Sequence, residues 1–301
     1  MRKIFTLISV LALGAMGLKA EVTVTPVKIK SGFNLDVICE DKEHIGSNTS
    51  FSDVKDFDGI DGGGAVYYTT GVQEEGALCG ADGIFYSKMH GVKYQINPVG
   101  NNGLVLKAGK TEGGLSEGTL EFETPMKGKS IYVVATSADG DTQLDVTVNY
   151  KDGTTDNQTI TVYNWDTSSY ANQAAVAGLG RLFPKETWAG PAGTIQGGYS
   201  FNLYESAINT DPDKEIASVK CEKIDLPDPS NPEKIKFTCC CVFAVSISSE
   251  TVEDTGVNGV TADDAVAVEY YNINGQRLEA PAQGVNIVKY SDGTVRKEVV
   301  R

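Results

Sequence analysis

The sequence predicts an all-β protein: a large antiparallel β-sandwich with jelly-roll-like connections, followed by a small C-terminal β-hairpin domain. Three observations carry this. In the stretch from Gln143 to Tyr150, Leu144, Val146, Val148 and Tyr150 alternate with Gln143, Asp145, Thr147 and Asn149, the period of a strand with one buried face. The next residues, Lys151-Asp152-Gly153, place an Asp-Gly turn signal where a hairpin must reverse. About ten to twelve apolar or alternating runs then recur along the chain at roughly 8–12-residue spacing, as in a sandwich or barrel.

Taken in order, the chain opens with a basic start at Arg2 and Lys3, an apolar run from Ile4 to Leu18, and Leu18-Lys19-Ala20 before Glu21. The run is too short and too rich in Gly and Ala for a span of about 20 apolar residues, so residues 1–20 read as an export signal cleaved near Ala20. No Cys follows that site, which leaves a lipid anchor unsupported, and no later segment is long and apolar enough to cross a bilayer. Residues 22–29 and 33–38 read as strands, followed by a polar loop to Gly64 and strands over 64–70, 84–87, 92–98, 103–109 and 118–125. Gly100-Asn101-Asn102 marks the turn before 103–109.

The central meander comes next. Residues 130–137 are apolar nearly throughout, as in a strand covered on both faces. The alternating strand follows, then a third that places Ile160 and Val162 on one face and Thr161, Tyr163 and Trp165 on the other. Residues 166–197 show no period-2 run and read as a long excursion, with a helical turn over Tyr170–Val176. A structureless loop of that length inside a compact domain is usually either functional or wrongly read. Strands resume at 199–206, 214–224 and 234–248, with a proline-rich hairpin loop from Asp225 to Glu233. Residues 249–263 read as a linker between the 21–248 module and a 264–301 tail of three short strands. The tail turns at Asn274-Gly275 and Ser291-Asp292-Gly293.

Removing Arg2, Lys3 and Lys19 from 26 basic residues, with all 40 acidic ones retained, takes the formal charge from −14 to −17. Such a surface repels phosphate backbones and argues against a nucleic-acid partner. Six cysteines, Cys39, Cys79, Cys221, Cys239, Cys240 and Cys241, permit disulfides in an exported chain, in pairings that the sequence does not rank. Strand alternation places Cys239 and Cys241 on one face and Cys240 on the other, where small apolar packing is the simplest role. Neither CxxC spacing nor a nearby His supports zinc, and His44 and His90 read as loop residues.

Two resemblances add to this. Tyr271-Asn272-Ile273-Asn274-Gly275-Gln276-Arg277, Gly284-Val285-Asn286-Ile287-Val288, Asp292-Gly293 and the basic end Lys297–Arg301 resemble the C-terminal sorting domain of type IX (Por) secretion in Bacteroidetes. That implies a secreted or outer-membrane-surface protein handled by type IX export machinery. Asn101-Asn102-Gly103-Leu104, Val134-Ala135-Thr136-Ser137, Val146-Thr147-Val148-Asn149-Tyr150, Gly178-Leu179-Gly180-Arg181 and Asn202-Leu203-Tyr204-Glu205 resemble a galactose-binding-like module found upstream of such tails. Fold analogy of this kind implies carbohydrate binding and no more.

Candidate site residues follow. Tyr163 and Trp165, with Arg181, Trp188 and Asn202, combine flat aromatic faces with planar hydrogen-bonding groups, the pairing that sugars require. The competing expectation is that the long loop folds over this face and buries both tryptophans. The run containing Asp53, Asp56, Asp58 and Asp61 offers carboxylates on a Gly-rich bend, and Asp56, Asp58 and Asp61 are the candidate ligands for a structural calcium. A glycosidase needs two carboxylates about 5–9.5 Å apart, which forty acids can always supply. No nucleophile elbow, Walker loop, HExxH or Cys-His motif accompanies them. The expected function is a non-enzymatic module binding glycan or another surface polymer. The alternatives are a structural or adhesive surface protein without a small-ligand site, and a glycan-active enzyme.

Overall fold

The computed structural model describes residues 23–45, 59–61, 63–107, 114–228, 230–251, 267–272, 277–278, 282–290 and 295–300. The N-terminal segment 1–20 and the acidic positions Asp53, Asp56 and Asp58 lie outside the described residues. The chain divides into two compact units, Met1–Thr251 and Val252–Arg301.

The larger unit is a β-sandwich. One sheet runs in the order β1 (Val24–Pro26), β17 (Cys239–Ser248), β9 (Ser130–Ala138), β13 (Thr194–Asn209), β12 (Ala174–Phe183), and β7 (Leu104–Leu106) also pairs with β17. The other runs β11 (Thr155–Val162), β10 (Thr142–Tyr150), β14 (Ile216–Ile224), β8 (Glu117–Met126), β2 (Ile29–Ser31). Every pairing within these two sheets is antiparallel. Successive strands repeatedly change sheet, as from β7 to β8, β8 to β9 and β9 to β10, which is the jelly-roll habit that the sequence spacing predicts.

The alternating hairpin behaves as its pattern demands. Strands β10 and β11 pair in register from Thr142↔Val162 to Asn149↔Thr155, and the Gly153 N–H closes the turn on the Tyr150 carbonyl at 3.0 Å. Leu144, Val146, Val148, Tyr150, Ile160 and Val162 point into the space between the sheets, where they meet Ile131, Val133 and Ala135 of β9 and Cys240, Val242 and Ile247 of β17. Burying each such Val, Leu or Ile contributes about 1.5–3 kcal/mol. That makes this layer a large source of stability.

The first sheet is covered on its other face too, which is why all nine residues of β9 are buried. The cover is built from β3 (Ile38–Asp41) and β4 (Tyr67–Gly71), a parallel pair, and from the β5 (Ile84–Tyr86)–β6 (Lys93–Gln95) hairpin. The Tyr67 ring lies 5.6 Å from both Phe243 and Trp165, and its hydroxyl donates to the Asn202 carbonyl at 3.0 Å. Ser246 Oγ donates to the Lys93 carbonyl at 2.7 Å.

Three expectations need correction. Residues 166–197 are not one long excursion: they hold β12 and the start of β13, with a 3-10 turn at Ser168–Gln173 in place of a helical turn over Tyr170–Val176. The register of β12 against β13 shifts repeatedly, so no period-2 pattern survives in AAVAGLGRLF. Gly180 is required there, because a Cβ would collide with the Tyr68 hydroxyl. Second, β11 ends at Val162 and the chain crosses to the other sheet. Ser137 N–H donates to the Tyr163 carbonyl at 3.0 Å and Trp165 N–H to the Ser137 carbonyl at 2.8 Å, so Tyr163 and Trp165 do not share the outer face of β11. Third, the 234–248 run is two strands: β15 (Pro227–Asp228) pairs with β16 (Asn231–Ile235), and β17 begins at Cys239.

All six cysteines are buried thiols, and no disulfide joins them. Cys240 faces the inter-sheet core while Cys241 packs on the opposite face beside Gly103, in keeping with the alternation. Burial pushes the Cys39, Cys79 and Cys221 thiols up to about 12 and raises those of Cys240 and Cys241 well above the ordinary range.

The smaller unit is an antiparallel sheet in the order β19 (Arg277–Leu278), β18 (Ala267–Asn272), β20 (Gly284–Tyr290), β21 (Val295–Val300). Asn286 is buried and its amide bonds Ala282 in both directions, at 3.0 and 2.6 Å. The turns at Asn274-Gly275 and Ser291–Gly293 lie outside the described residues.

Candidate functional site

The connection from β12 to β13 carries the most exposed aromatic among the described residues of the sandwich. Thr187 and Gly190 exchange backbone hydrogen bonds at 3.0 and 3.1 Å, and Thr187 Oγ1 accepts from Ala189 N at 3.2 Å. That tight turn holds Trp188 at its tip, 72% exposed, with its ring edge-to-face on Phe183 at 5.8 Å.

Beneath it lies Arg181. Its guanidinium carbon sits 5.3 Å from the Phe183 ring centre, 4.8 Å from that of Phe201 and 5.7 Å from that of Trp165, a desolvated cation–π arrangement. Its terminal nitrogens donate to Asp61 Oδ2 at 3.2 Å and to Gln196 Oε1 at 3.0 Å. Asp61 Oδ1 accepts from the N–H groups of Gly63 and Ala65 at 2.8 and 3.2 Å. Burial nonetheless outweighs these donors and the nearby cation, and raises the Asp61 carboxyl above its ordinary value. Trp188, Phe183, Arg181 and then Trp165 with Phe201 thus form a continuous run of edge-to-face, tilted and cation–π contacts from solvent into the cover layer.

The structure separates the predicted site residues. Trp188 is available to a ligand, and Arg181 is partly so, with 18% of its side chain exposed. Tyr163 is half-buried, stacked on Tyr170 at 4.1 Å and edge-on to Tyr204 at 5.4 Å. Trp165 and Asn202 are 2% and 1% exposed, which corrects their expected role as ligand contacts. The Asn202 amide donates to the carbonyls of Trp165 and Ser200 at 3.0 Å each, so it fixes the crossing of the chain between sheets. Of the calcium candidates, Asp61 has both oxygens committed as above, while Asp56 and Asp58 lie outside the described residues. Among the described residues no group of three or more His, Cys, Asp or Glu side chains is arranged to hold a metal.

Two arrangements escaped the sequence. Glu205, with 1% of its side chain exposed, accepts from Ser87 Oγ at 2.7 Å and Tyr94 OH at 2.7 Å and meets His90 Nδ1 at 2.5 Å. Ser87 donates to the carboxylate rather than to the imidazole, so this is a pin for the cover layer and not an activated nucleophile. The second is a cleft of about 560 Å³ beside β1 and β2, lined by Lys28, Lys30, Phe33, Gln95, Asn97, Asn101 and Glu123. Its walls come from segments far apart in the chain; the outward lysines of the Val27-Lys28-Ile29-Lys30 alternation were the only local hint.

Comparison with known proteins adds little weight. No family model matches the chain, and no curated protein matches it. Similar solved structures include a variant of a family 29 carbohydrate-binding module, at 10% identity, 57% coverage of this chain, 75% of that one and a TM-score of 0.25. Another is CBM28, a carbohydrate-binding module specific for non-crystalline cellulose, at 13% identity, 57% and 89% coverage and a TM-score of 0.28. Likenesses of this size carry no part of the functional argument.

Proposed function

We propose that this chain is a non-catalytic β-sandwich module that binds glycan or another surface polymer. It is exported by residues 1–20 and presented at the outer surface through the 264–301 tail. The observation that carries the binding reading is Trp188: a large aromatic face at 72% exposure, held by a tight turn and backed by Phe183. A pre-oriented indole loses little freedom on binding and offers its face to the C–H surface of a pyranose. Arg181 supports the ring that Trp188 leans on, and Tyr163 with Tyr170 adds a second, half-buried stack.

A glycan array probed with wild type and Trp188→Ala tests this. Binding by the wild type that falls at least about tenfold in the variant, the scale of a hot-spot tryptophan, supports the reading. The burial of Trp165 and Asn202 favours a second reading, a structural or adhesive surface protein without a small-ligand site. Absence of binding to every glycan decides for it, whereas turnover of a polysaccharide decides for an enzyme. Deleting residues 264–301 tests export: retention in the periplasm supports the sorting role, and unchanged surface display refutes it.

A further inference from the structure

We propose that the cleft beside β1 and β2 is a second binding site, separate from Trp188, and that it takes an acidic sugar residue bearing one carboxylate. Its volume of about 560 Å³ falls within the roughly 300–1,000 Å³ of small-molecule sites. Phe243 and Ala244 of β17 contribute to its lining from the sheet beneath, with Phe33 and Ile96 as apolar neighbours.

Both walls are built before any ligand arrives. The Lys28 carbonyl accepts from Glu123 N–H at 2.8 Å, and a Cβ on Gly32 (φ +117°) would collide with the Thr119 carbonyl, so this corner lies directly on β8. Opposite, the buried Asn102 side chain accepts from Val37 N–H at 2.8 Å and donates to Asp36 Oδ1 at 2.9 Å and to the Pro98 carbonyl at 3.2 Å. That network holds the turn carrying Asn97 and Asn101.

The functional groups left over have a sugar's complementarity. Among the described residues, the side chains of Gln95 and Asn101 make no hydrogen bond within the protein, and Asn97 uses only Oδ1, toward Val99 N–H at 3.2 Å. Each planar amide offers a donor beside an acceptor, the pair that vicinal hydroxyls need. Phe33 supplies an apolar face for ring C–H groups. The charge specifies acidity: Lys28 and Lys30 line the cleft without an ion pair among the described residues, in a chain of formal charge −14. Two lysines against Glu123 leave room for one anion; Glu123 itself suits a hydroxyl donor and repels a second carboxylate.

The experiment titrates the full chain with uronic-acid trisaccharides and with their carboxyl-reduced neutral counterparts, followed by calorimetry. The wild type is expected to bind the acidic sugar more tightly than the neutral one. Lys28→Gln combined with Lys30→Gln is expected to weaken the acidic sugar about tenfold or more and to abolish the preference. Gln95→Ala with Asn101→Ala is expected to weaken both sugars. All four substituted positions are exposed, so an unchanged thermal transition shows that each variant is folded. No saturable binding of the acidic sugar, equal binding of the neutral one, or indifference to the lysine pair would each overturn the proposal. Because the cleft variants leave Trp188 in place, failure here is distinguishable from failure of the Trp188 reading.

Discussion

Replacing Tyr94 by Phe isolates one hydrogen bond of the Glu205 pin. Tyr94 is fully buried, its ring stacks on Phe85 at 5.2 Å, and its hydroxyl donates to Glu205 Oε2 at 2.7 Å. Phe keeps the stack and the volume and removes only the donor. A hydrogen bond to a charged acceptor contributes about 1.5–3 kcal/mol, and a buried carboxylate oxygen that loses its donor cannot turn to solvent. The expected destabilisation is therefore about 2 kcal/mol or somewhat more. Phe at Tyr86, exposed on the same hairpin, is expected to cost close to nothing. Both tryptophans, Trp165 and Trp188, lie in the larger unit, so tryptophan fluorescence during urea unfolding follows that unit alone. Alkaline pH supplies a second readout. Burial, together with the Glu205 charge, raises the Tyr94 phenol well above its ordinary value. A folded-state value above the unfolded one favours folding below pH of about 10 and loses that contribution as pH rises further, at up to about 1.4 kcal/mol per pH unit. The wild type should lose this increment and Tyr94→Phe should not. A loss below about 0.5 kcal/mol at neutral pH, or identical alkaline profiles, would refute the pin.

The remaining predictions concern other regions. Trp165→Ala is expected to cost about 3–5 kcal/mol and Trp188→Ala near zero, by the same urea assay, because only the first is packed among Tyr67, Phe201 and Arg181. Native protein at pH 8 should give almost no reaction with a thiol reagent, and the unfolded chain should titrate all six cysteines; fewer than six would mean that disulfides form. The raised Asp61 carboxyl favours folding when protonated, so its contribution is full below the ordinary aspartate value near about 3.9 and is lost as pH rises through the folded value. Wild type should thus gain stability relative to Asp61→Asn as pH falls through that window; a flat or opposite difference rejects the assignment. With Asp61 bound to Arg181, thermal unfolding should be the same in calcium and in chelator, whereas a calcium-dependent rise would restore the metal reading.

How much of the site was readable along the chain differs by residue. Trp188 stood out as an aromatic in a Gly- and Pro-rich stretch, and the structure leaves it exposed on a tight turn. Trp165 was misjudged, because continuing the β11 alternation by three residues ignores the crossing at Asn164, which bridges to Ser137 of the other sheet. Strand β12 was invisible for a related reason. Its Ala and Gly residues have weak strand preference, and it holds its form through β13 and through Tyr68 filling the space over Gly180.

The sequence by itself determined the sandwich class, the β10–β11 hairpin and the two-sided placement of Cys240 and Cys241, because side-chain alternation is a property of adjacent residues. Only the tertiary structure decided where chemistry collects. Glu205 meets Tyr94 across 111 positions and Arg181 meets Asp61 across 120. The cleft joins the 26–33 corner to Gln95, Asn101, Glu123 and Phe243. Contacts at such separation leave no periodic trace, since nothing in the local chain constrains which distant strand will arrive beside it.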